Sequence, residues 1–329
     1  MGASPINETR MSRRLFVAVL LSLSTGTANA QVSYPSRTIK IVVPVPPGPI
    51  LDTLPRIIAE KLAAAWGQPV IVENRPGAAQ NLGAEAVAKS NPDGYTLLAT
   101  PAGPLTISQH LFPKLGFEPS AFVPVSIMVT IPAVVVVNPK LPVASIRELV
   151  AHAKSNEGKL TYGTPGVGSS PHLATQMLLT ATGLRAVHVP YKGMGPATTD
   201  LLAGHIDMMI DNLGNVWPHI KDGRLKVLAA TTAARIPELP NLPTIAEAYP
   251  DVVYTSWFAI VAPPKTPPDI AAKLSSAIAD ILKLPDVAQR LRQFSVAPIG
   301  SSPADTGAFI ERERRRWRQV IVSLGIKSD

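Results

Sequence analysis

Residues 39–54 read IKIVVPVPPGPILDTL, and this stretch decides the fold. Its first five residues are apolar apart from Lys40, as in a buried strand, and the run of Pro and Gly that follows cannot continue a strand. Further on, apolar residues recur at helical spacing as far as Ala65, and Gly67 stands where a helix would end. The stretch therefore predicts a strand, a loop and a helix in succession.

This alternation continues along the chain and predicts a mainly parallel sheet covered by helices. Residues 270–282 and 308–324 have helical patterns but no strands of their own, so we expect them to pack against the first domain. Strands are predicted at 70–72, 96–99, 134–137, 160–162, 187–189, 206–210, 225–230 and 257–261, with helices at 82–88, 145–149, 173–179 and 197–203.

The length of the chain, 329 residues, suits two domains because single cores stop growing near about 250–300 residues. The middle of the chain forms its own set of strands and helices. We therefore predict one domain from residues 31–132 and 256–329 and a second from residues 133–255, with two strands crossing between them.

The N-terminus predicts export. Arg10, Arg13 and Arg14 precede a short apolar run at residues 15–21, and Ala28-Asn29-Ala30 is a typical cleavage site, so residues 1–30 are interpreted as a signal peptide. The apolar run is shorter than the roughly 20 residues that span a bilayer. The sequence contains no Cys, which fits a disulfide-free protein of the bacterial periplasm.

Composition and motifs argue against several functions. The formal charge of +8 is dispersed except for five arginines at residues 312–318, which we interpret as the solvated face of a helix and not as a nucleic-acid site. The six histidines lack metal-ligand spacing, and hydrolase, zinc-protease and nucleotide-loop motifs are absent. We expect no metal, no cofactor and no enzyme activity.

Two loops are candidate anion sites because each precedes a predicted helix, whose N-terminal N–H groups attract negative charge. In the first loop, around Pro47 and Gly48, either Asp52 or Thr53 is the expected N-cap, and Asp52 has a role in capping, in ligand binding or in both. In the second loop, residues 164–172, Ser169 or Ser170 is the expected N-cap.

Two further candidates, Tyr191 and Asp211, stand at the ends of predicted strands. Cleft residues belong at such positions. Tyr191 is either a ligand contact or a half-buried packing residue, and His172 is more easily explained by local hydrogen bonding than by a role as a base.

Several ordered motifs together resemble the Bug (TctC-like) family of tripartite tricarboxylate transporter receptors. The likeness covers nearly the whole chain after residue 30. The motifs are Tyr34-Pro35-Ser36, Pro46-Pro47-Gly48, residues 72–78 (VENRPGA), residues 92–98 (PDGYTLL), residues 188–193 (HVPYKG) and Asp211-Asn212.

The resemblance implies a two-lobed type II periplasmic binding fold, a venus flytrap, that delivers a small carboxylate to membrane permease subunits. It also implies that backbone groups and ordered waters of the two loops hold the carboxylate. On this chain the implied residues are Pro47, Gly48 and Asp52 in one lobe and Thr164, Gly166, Gly168, Ser169 and Ser170 in the other, with Thr100, Pro101, Tyr191 and Asp211 as walls. His172 is a further candidate because it belongs to the second loop, and the resemblance does not assign it a role.

One departure from the family pattern bears on the ligand. Family members commonly have further glycines after the position of Gly48, where this chain has Pro49, Ile50 and Leu51. Pro49 lacks an N–H and Ile50 adds apolar bulk, so we expect a carboxylate with an aliphatic or aromatic body. We also expect a monomer. The alternatives are a receptor that presents its ligand to a membrane sensor, and an exported hydrolase or isomerase using Asp52, His172 or Tyr191.

Overall fold

The computed structural model describes residues 1–2, 34–156 and 158–326. The chain divides into two compact units, residues 1–36 and 37–329, and every described helix and strand belongs to the second unit. The predicted signal peptide, residues 1–30, lies outside the described residues except for residues 1–2.

The second unit alternates strands and helices for most of its length. Its strands are β1 (Ile39–Val43), β2 (Val70–Asn74), β3 (Thr96–Pro101), β4 (Val123–Val137), β5 (Thr161–Thr164), β6 (Val187–Pro190), β7 (Met208–Asn212), β8 (Lys226–Ala230), β9 (Thr255–Ala262) and β10 (Ala297–Pro298). Its α-helices are α1 (Ile50–Trp66), α2 (Asn81–Ala88), α3 (Ser108–Leu111), α4 (Ile146–Ser155), α5 (Ser170–Thr182), α6 (Met194–Ala203), α7 (Leu213–Lys221), α8 (Pro268–Lys283), α9 (Pro285–Gln293) and α10 (Pro303–Leu324).

The strands form two sheets that share β4. The first lobe contains β2, β1, β3, β9 and the N-terminal part of β4, with β10 on the edge of β4; β1 is parallel to β2 and β3, whereas β9 is antiparallel to β3 and β4. The second lobe contains the C-terminal part of β4 with β5, β6, β7 and β8; β5 is parallel to β6 and β7, and β4 is antiparallel to β7 and β8.

Strand β4 changes partner at Pro132. Pro132 pairs with Thr255 of β9, and the next residue, Ala133, pairs with Asn212 of β7. Proline lacks the N–H that a central strand needs, so it fits the position where one ladder ends and the next begins. The predicted two-lobed α/β fold is confirmed, with parallel outer strands and antiparallel pairs where the chain crosses.

The sequence patterns missed residues 123–133 of β4, the short strand β10 and three helices, α3, α7 and α9. Pro124 and Pro132 interrupt the apolar run of β4, and Pro218 lies inside α7, so both segments violate the patterns by which they would be recognised. The other predicted elements are present, and α1 ends as expected at Gly67, which has a φ of 65°.

The arginine cluster of α10 is less solvated than predicted. Arg314 has a side chain that is 17% exposed and pairs with Glu311, while Arg316 pairs with Glu313 and donates to the carbonyl oxygen of Val253. Trp317, in the same run, is fully buried and meets Tyr254 edge to face at 6.2 Å between ring centroids. Helix α10 contacts β4 of the shared sheet and α5 of the second lobe, so it packs against both lobes and not the first alone.

Within the described residues, no helix combines the length and apolar character needed to cross a bilayer.

Candidate functional site

The first loop is organised by Asp52, which is not the N-cap. Helix α1 begins after Pro49, so Asp52 lies in its first turn, and the prediction that Asp52 or Thr53 caps the helix was wrong. The Asp52 carboxylate accepts hydrogen bonds from the Gly48 N–H at 3.1 Å, from Asn74 Nδ2 at 2.8 Å and from Arg56 Nη2 at 2.9 Å. Asn74 Nδ2 also donates to the Val45 carbonyl at 2.9 Å. Asp52 therefore holds the loop in place and accepts the Gly48 N–H that the sequence assigned to a ligand.

Electrostatics favour the ionised form of Asp52. Burial by itself raises the pKa of Asp52, but the hydrogen bonds from Arg56, Asn74 and Gly48 outweigh burial and hold the pKa below its usual value of 3.8. The negative charge of Asp52 is therefore paired with Arg56 inside the first lobe.

The second loop is held in the same way by its own side chains. Ser169 is the N-cap of α5, accepting a hydrogen bond from the His172 N–H and donating to the Gly166 carbonyl at 2.7 Å. The Gly166 N–H donates to Thr164 Oγ1 at 3.2 Å, and the Gly168 N–H donates to His172 Nδ1 at 3.3 Å. The expected capping role of Ser169 is confirmed, and the two glycine N–H groups are engaged within the loop.

A stack of three rings contacts the second loop, through His188 at Thr164 and through His172 at Gly168. The rings of His172 and His188 lie 4.5 Å apart, and those of His188 and Tyr162 lie 4.8 Å apart. Burial lowers the pKa of His172 to about 4, with a contribution from the neighbouring His188, and burial also lowers the pKa of His188. Both histidines are therefore neutral at pH 7, and Nδ1 of His172 is free to accept.

This stack makes stability sensitive to acid. The folded-state pKa of His172 lies near 4 and its unfolded value near 6.5, so the unfolded chain binds more protons as pH falls below 6.5 and stability decreases until about pH 4. Between pH 6.5 and 5.5 we expect a loss of about 1 kcal/mol from His172. Urea unfolding at both pH values checks this loss, and H172Q should be less sensitive. An equally steep decrease in H172Q would contradict the assignment.

A central cavity lies where the two loops meet β9. It encloses about 480 Å³ of empty space when the solvent at its open mouth is included. The first turns of α1 and α5 both border it, so two helix N-termini face one space. The lining residues are Val45, Pro49, Ile50, Leu51, Gln80, Pro101, Pro165, Ser170, Pro171, Met194, Asp211, Asn212, Asn215, Tyr254, Ser256 and Phe258.

The central cavity is mostly apolar and offers neutral hydrogen-bonding groups. Among the described residues that line it, none is Lys, Arg or His. Ser170 Oγ and the Tyr254 hydroxyl lie 3.1 Å apart, and side-chain amides come from Gln80, Asn212 and Asn215. An anion here would be held by N–H and O–H dipoles and by the helix N-termini, not by an ion pair.

Asn215 joins the two lobes beside this cavity. Its Oδ1 accepts a hydrogen bond from the Ile50 N–H of the first lobe at 3.3 Å, and its Nδ2 donates to Asp211 Oδ1 at 3.0 Å. The lobes also approach closely at Gly214, where an added Cβ would lie 2.2 Å from the carbonyl oxygen of Phe294. These contacts define a closed arrangement of the lobes.

The predicted site residues separate into four groups. Lining the central cavity are Pro49, Ile50, Pro101, Ser170 and Asp211. Lining an outer groove that adjoins it are Pro47 and Gly48, again with Pro49 and Asp211. Lining a smaller side cavity are Gly166 and Tyr191. The fourth group lines none of these three cavities and contains Asp52, Thr100, Thr164, Gly168, Ser169 and His172.

Tyr191 is committed to its own lobe. Its hydroxyl donates to Asp200 Oδ2 at 2.6 Å, and burial together with this aspartate raises the pKa of Tyr191 to about 12. Like Asp52 and His172, it is engaged in a structural hydrogen bond, and this leaves none of the three as a free acid or base.

Several cavity residues were not predicted from the sequence. Tyr254, Ser256 and Phe258 come from β9 and the segment before it, and Asn215 comes from the missed helix α7. The available signal was the crossing predicted near residue 255, because residues beside a crossing strand face the cleft between the lobes. No comparable signal marks Gln80 or Met194.

The model of the tripartite tricarboxylate transporter family receptor, TctC, matches residues 54–326. The chain belongs to the TctC receptor family. Protein BugT of Bordetella pertussis is 37% identical to this TctC receptor over 320 residues, which are 95% of this chain and 98% of BugT. The resemblance seen in the motifs is thus confirmed over nearly the whole length.

Solved structures support the same assignment. Rpa4515 of R. palustris with adipate is 36% identical, with a TM-score of 0.86 over 89% of this chain and 99% of that one. The periplasmic binding protein BugD is 31% identical, with a TM-score of 0.85 over 90% and 100%. MatC of Rhodopseudomonas palustris with bound malate is 31% identical, with a TM-score of 0.83 over 88% and 100%.

Family membership makes this chain a periplasmic solute receptor and not an enzyme. The described residues contain no group of three or more His, Cys, Asp or Glu arranged to hold a metal ion.

Proposed function

We propose that this TctC receptor binds a small organic carboxylate with an aliphatic or aromatic body and delivers it to the permease subunits of a tripartite tricarboxylate-type transporter. The observation that carries the proposal is the central cavity, in which two helix N-termini and neutral donors meet apolar walls. The donors suit a carboxylate, and the walls suit its carbon chain.

The apolar walls favour a ligand with few polar groups along its chain. Val45, Ile50, Leu51, Met194 and Phe258 line the cavity. A hydroxyl placed against such walls would lose its water without gaining a partner. Among the relatives, the structure with adipate shares more identity with this chain than the one with malate, 36% against 31%. Both observations favour a carbon body without hydroxyl groups.

The proposed mechanism is closure of two domains, residues 31–132 with 256–329 and residues 133–255. The exchange of partners along β4 at Pro132 supports this division, as does the pairing of β9 from Thr255 onward. We further propose that residues 1–30 are removed on export and that the receptor acts as a monomer.

A ligand screen tests the proposal. Purified receptor would be heated with adipate, glutarate, benzoate, malate or tartrate, and bound ligand would be recovered and analysed by mass spectrometry. We expect the largest rise in melting temperature from adipate or benzoate, with the acid recovered unchanged. Stabilisation only by malate or tartrate would contradict the proposed ligand class, and chemical conversion would contradict the receptor.

Ile50 should set part of this preference. I50A removes apolar surface from the first turn of α1 but leaves the N–H that donates to Asn215. We expect affinity for adipate to fall about fivefold to thirtyfold, since a few methylenes in an apolar site contribute about 1–2 kcal/mol. Isothermal calorimetry with adipate and malate checks this. The control is V322A, a change at an exposed position of α10. Equal losses for both acids would show that Ile50 does not discriminate between them.

Delivery can be tested by uptake. Bacteria in which the gene for this receptor is deleted should lose uptake of the labelled acid and regain it when the wild-type gene is restored. Normal uptake without the receptor, together with a lost transcriptional response to the acid, would instead indicate a sensor.

A further inference from the structure

Asp211 has a buried carboxylate with two unequal oxygens. It belongs to β7, pairs with Val134 of β4 and is 2% exposed. Oδ1 accepts hydrogen bonds from the Asn212 N–H at 2.7 Å and from Asn215 Nδ2 at 3.0 Å. Oδ2 is buried and has no hydrogen-bond partner among the described residues. Burying such an oxygen is unfavourable unless a group in the adjoining cavity forms a hydrogen bond with it.

Among the described residues that line the cavities beside Asp211, none is a lysine or an arginine. The elements packed around it contribute Val134 from β4, Met194 from α6, Ser170 from α5 and Ile50 from α1, all uncharged. The titratable groups that face it are Tyr254, which precedes β9 and responds electrostatically to Asp211, and His219 of α7, which lines the outer groove with Asp211 and whose pKa burial lowers. His172 of α5 is neutral and engaged with Gly168.

A carboxylate ligand would therefore meet a second carboxylate in a cavity without a compensating cation. Two carboxylates at one site do not both stay ionised, because their repulsion and their loss of water both favour one shared proton. With that proton on Oδ2, Asp211 becomes a hydrogen-bond donor, and the ligand carboxylate accepts the hydrogen bond from its O–H group.

We propose, building on the proposed function, that Asp211 couples ligand binding to proton uptake: one proton from solvent is held between Oδ2 and the bound carboxylate when the lobes close. The O–H···O⁻ hydrogen bond forms without covalent change, and the proton returns to solvent on release. Asn215 links this event to closure, because its amide contacts Asp211 and the Ile50 N–H of the other lobe together.

The titration of Asp211 fits this role. Burial raises its pKa to about 7, against the opposing hydrogen bonds from Asn215 and Asn212. Above pH 7 the free receptor must therefore take up a proton to bind, and its affinity should fall roughly tenfold for each further pH unit. Below pH 7 the affinity should level off, since Asp211 is already protonated.

Calorimetry in buffers of different ionisation enthalpy tests the proposal. The probe is whichever of adipate, glutarate, benzoate and malate stabilises the protein most. At pH 8 we expect uptake of close to one proton per ligand by the wild type and close to none by D211N. The Asn212 and Asn215 donors hold the amide oxygen of D211N at the Oδ1 position, which leaves its NH₂ group as an uncharged donor to the ligand. D211N should therefore bind at pH 8 at least as tightly as the wild type, with a flat pH profile.

D200N is the matched control, because Asp200 lies in the same lobe but pairs with Tyr191 and His205 outside the central cavity. It should keep the wild-type proton uptake. Binding by the wild type without proton uptake, or unchanged uptake in D211N, would overturn the role of Asp211 alone. Failure of every acid to bind would overturn the proposed function as well.

Discussion

Replacing Gly214 with Ala should weaken carboxylate binding at least a hundredfold while leaving both lobes folded. A Cβ at this position would lie 2.2 Å from the carbonyl oxygen of Phe294, and the nearest atoms all belong to the Phe294 backbone. Gly214 is in α7 of the second lobe, and Phe294 follows α9 of the first. Backbone cannot rotate aside as a side chain can, so the lobes would have to stay apart.

The fold itself should tolerate G214A. Ala is favoured over Gly inside a helix by about 0.5–1 kcal/mol, so α7 gains local stability. The expected loss of binding corresponds to about 2.7 kcal/mol of closure contacts. Isothermal calorimetry gives the affinity of G214A for the acid. Small-angle scattering of G214A with the acid added should give the same dimensions as without it, because the lobes cannot close.

G195A provides the control, since Gly195 lies in helix α6 of the same lobe and an added Cβ would have nothing within 4 Å. It should bind like the wild type. Wild-type affinity in G214A would mean that closure does not bring α7 against Phe294.

Replacing Asp52 with Ala should lower the free energy of unfolding by about 2 kcal/mol, because a buried carboxylate that accepts several hydrogen bonds is lost while its partner Arg56 is half exposed. Asp52 is 4% exposed, and its loss would leave the Gly48 N–H, the Asn74 amide and the Arg56 guanidinium without their acceptor. Urea unfolding at pH 7 measures the effect.

The dependence on pH identifies the cause. The folded-state pKa of Asp52 is depressed, so its stabilisation is present above the unfolded pKa of about 3.9 and is lost as pH falls through the folded value. The difference between D52A and the wild type should therefore be smaller at pH 2.5 than at pH 7. D280A removes an exposed pair with Lys283 and should change stability by less than about 1 kcal/mol. A similar small change in D52A would contradict the role assigned to Asp52.

Asp52 also shows how far sequence reasoning reached at the site. Its position after a Pro-Gly loop indicated a helix start and an anion site, but the pattern could not show that Arg56 and Asn74 converge on its carboxylate. Asn74 is 22 residues away and belongs to a neighbouring strand. The local sequence showed that the loop suits an anion. It did not show that the carboxylate of Asp52 is the anion that the Gly48 N–H already binds.

The sequence by itself determined the alternating architecture, the family, the two loops at helix starts and several residues of the central cavity. These follow from local periodicity, turn chemistry and short motifs, which act over a few residues. Only the tertiary structure decided that Asp52, His172 and Tyr191 serve the fold, that Asn215 and Tyr254 enter the site, and that Asp211 is buried with one oxygen unpaired. Burial and pairing depend on which distant segments meet at the junction of two sheets, and no local pattern specifies that meeting.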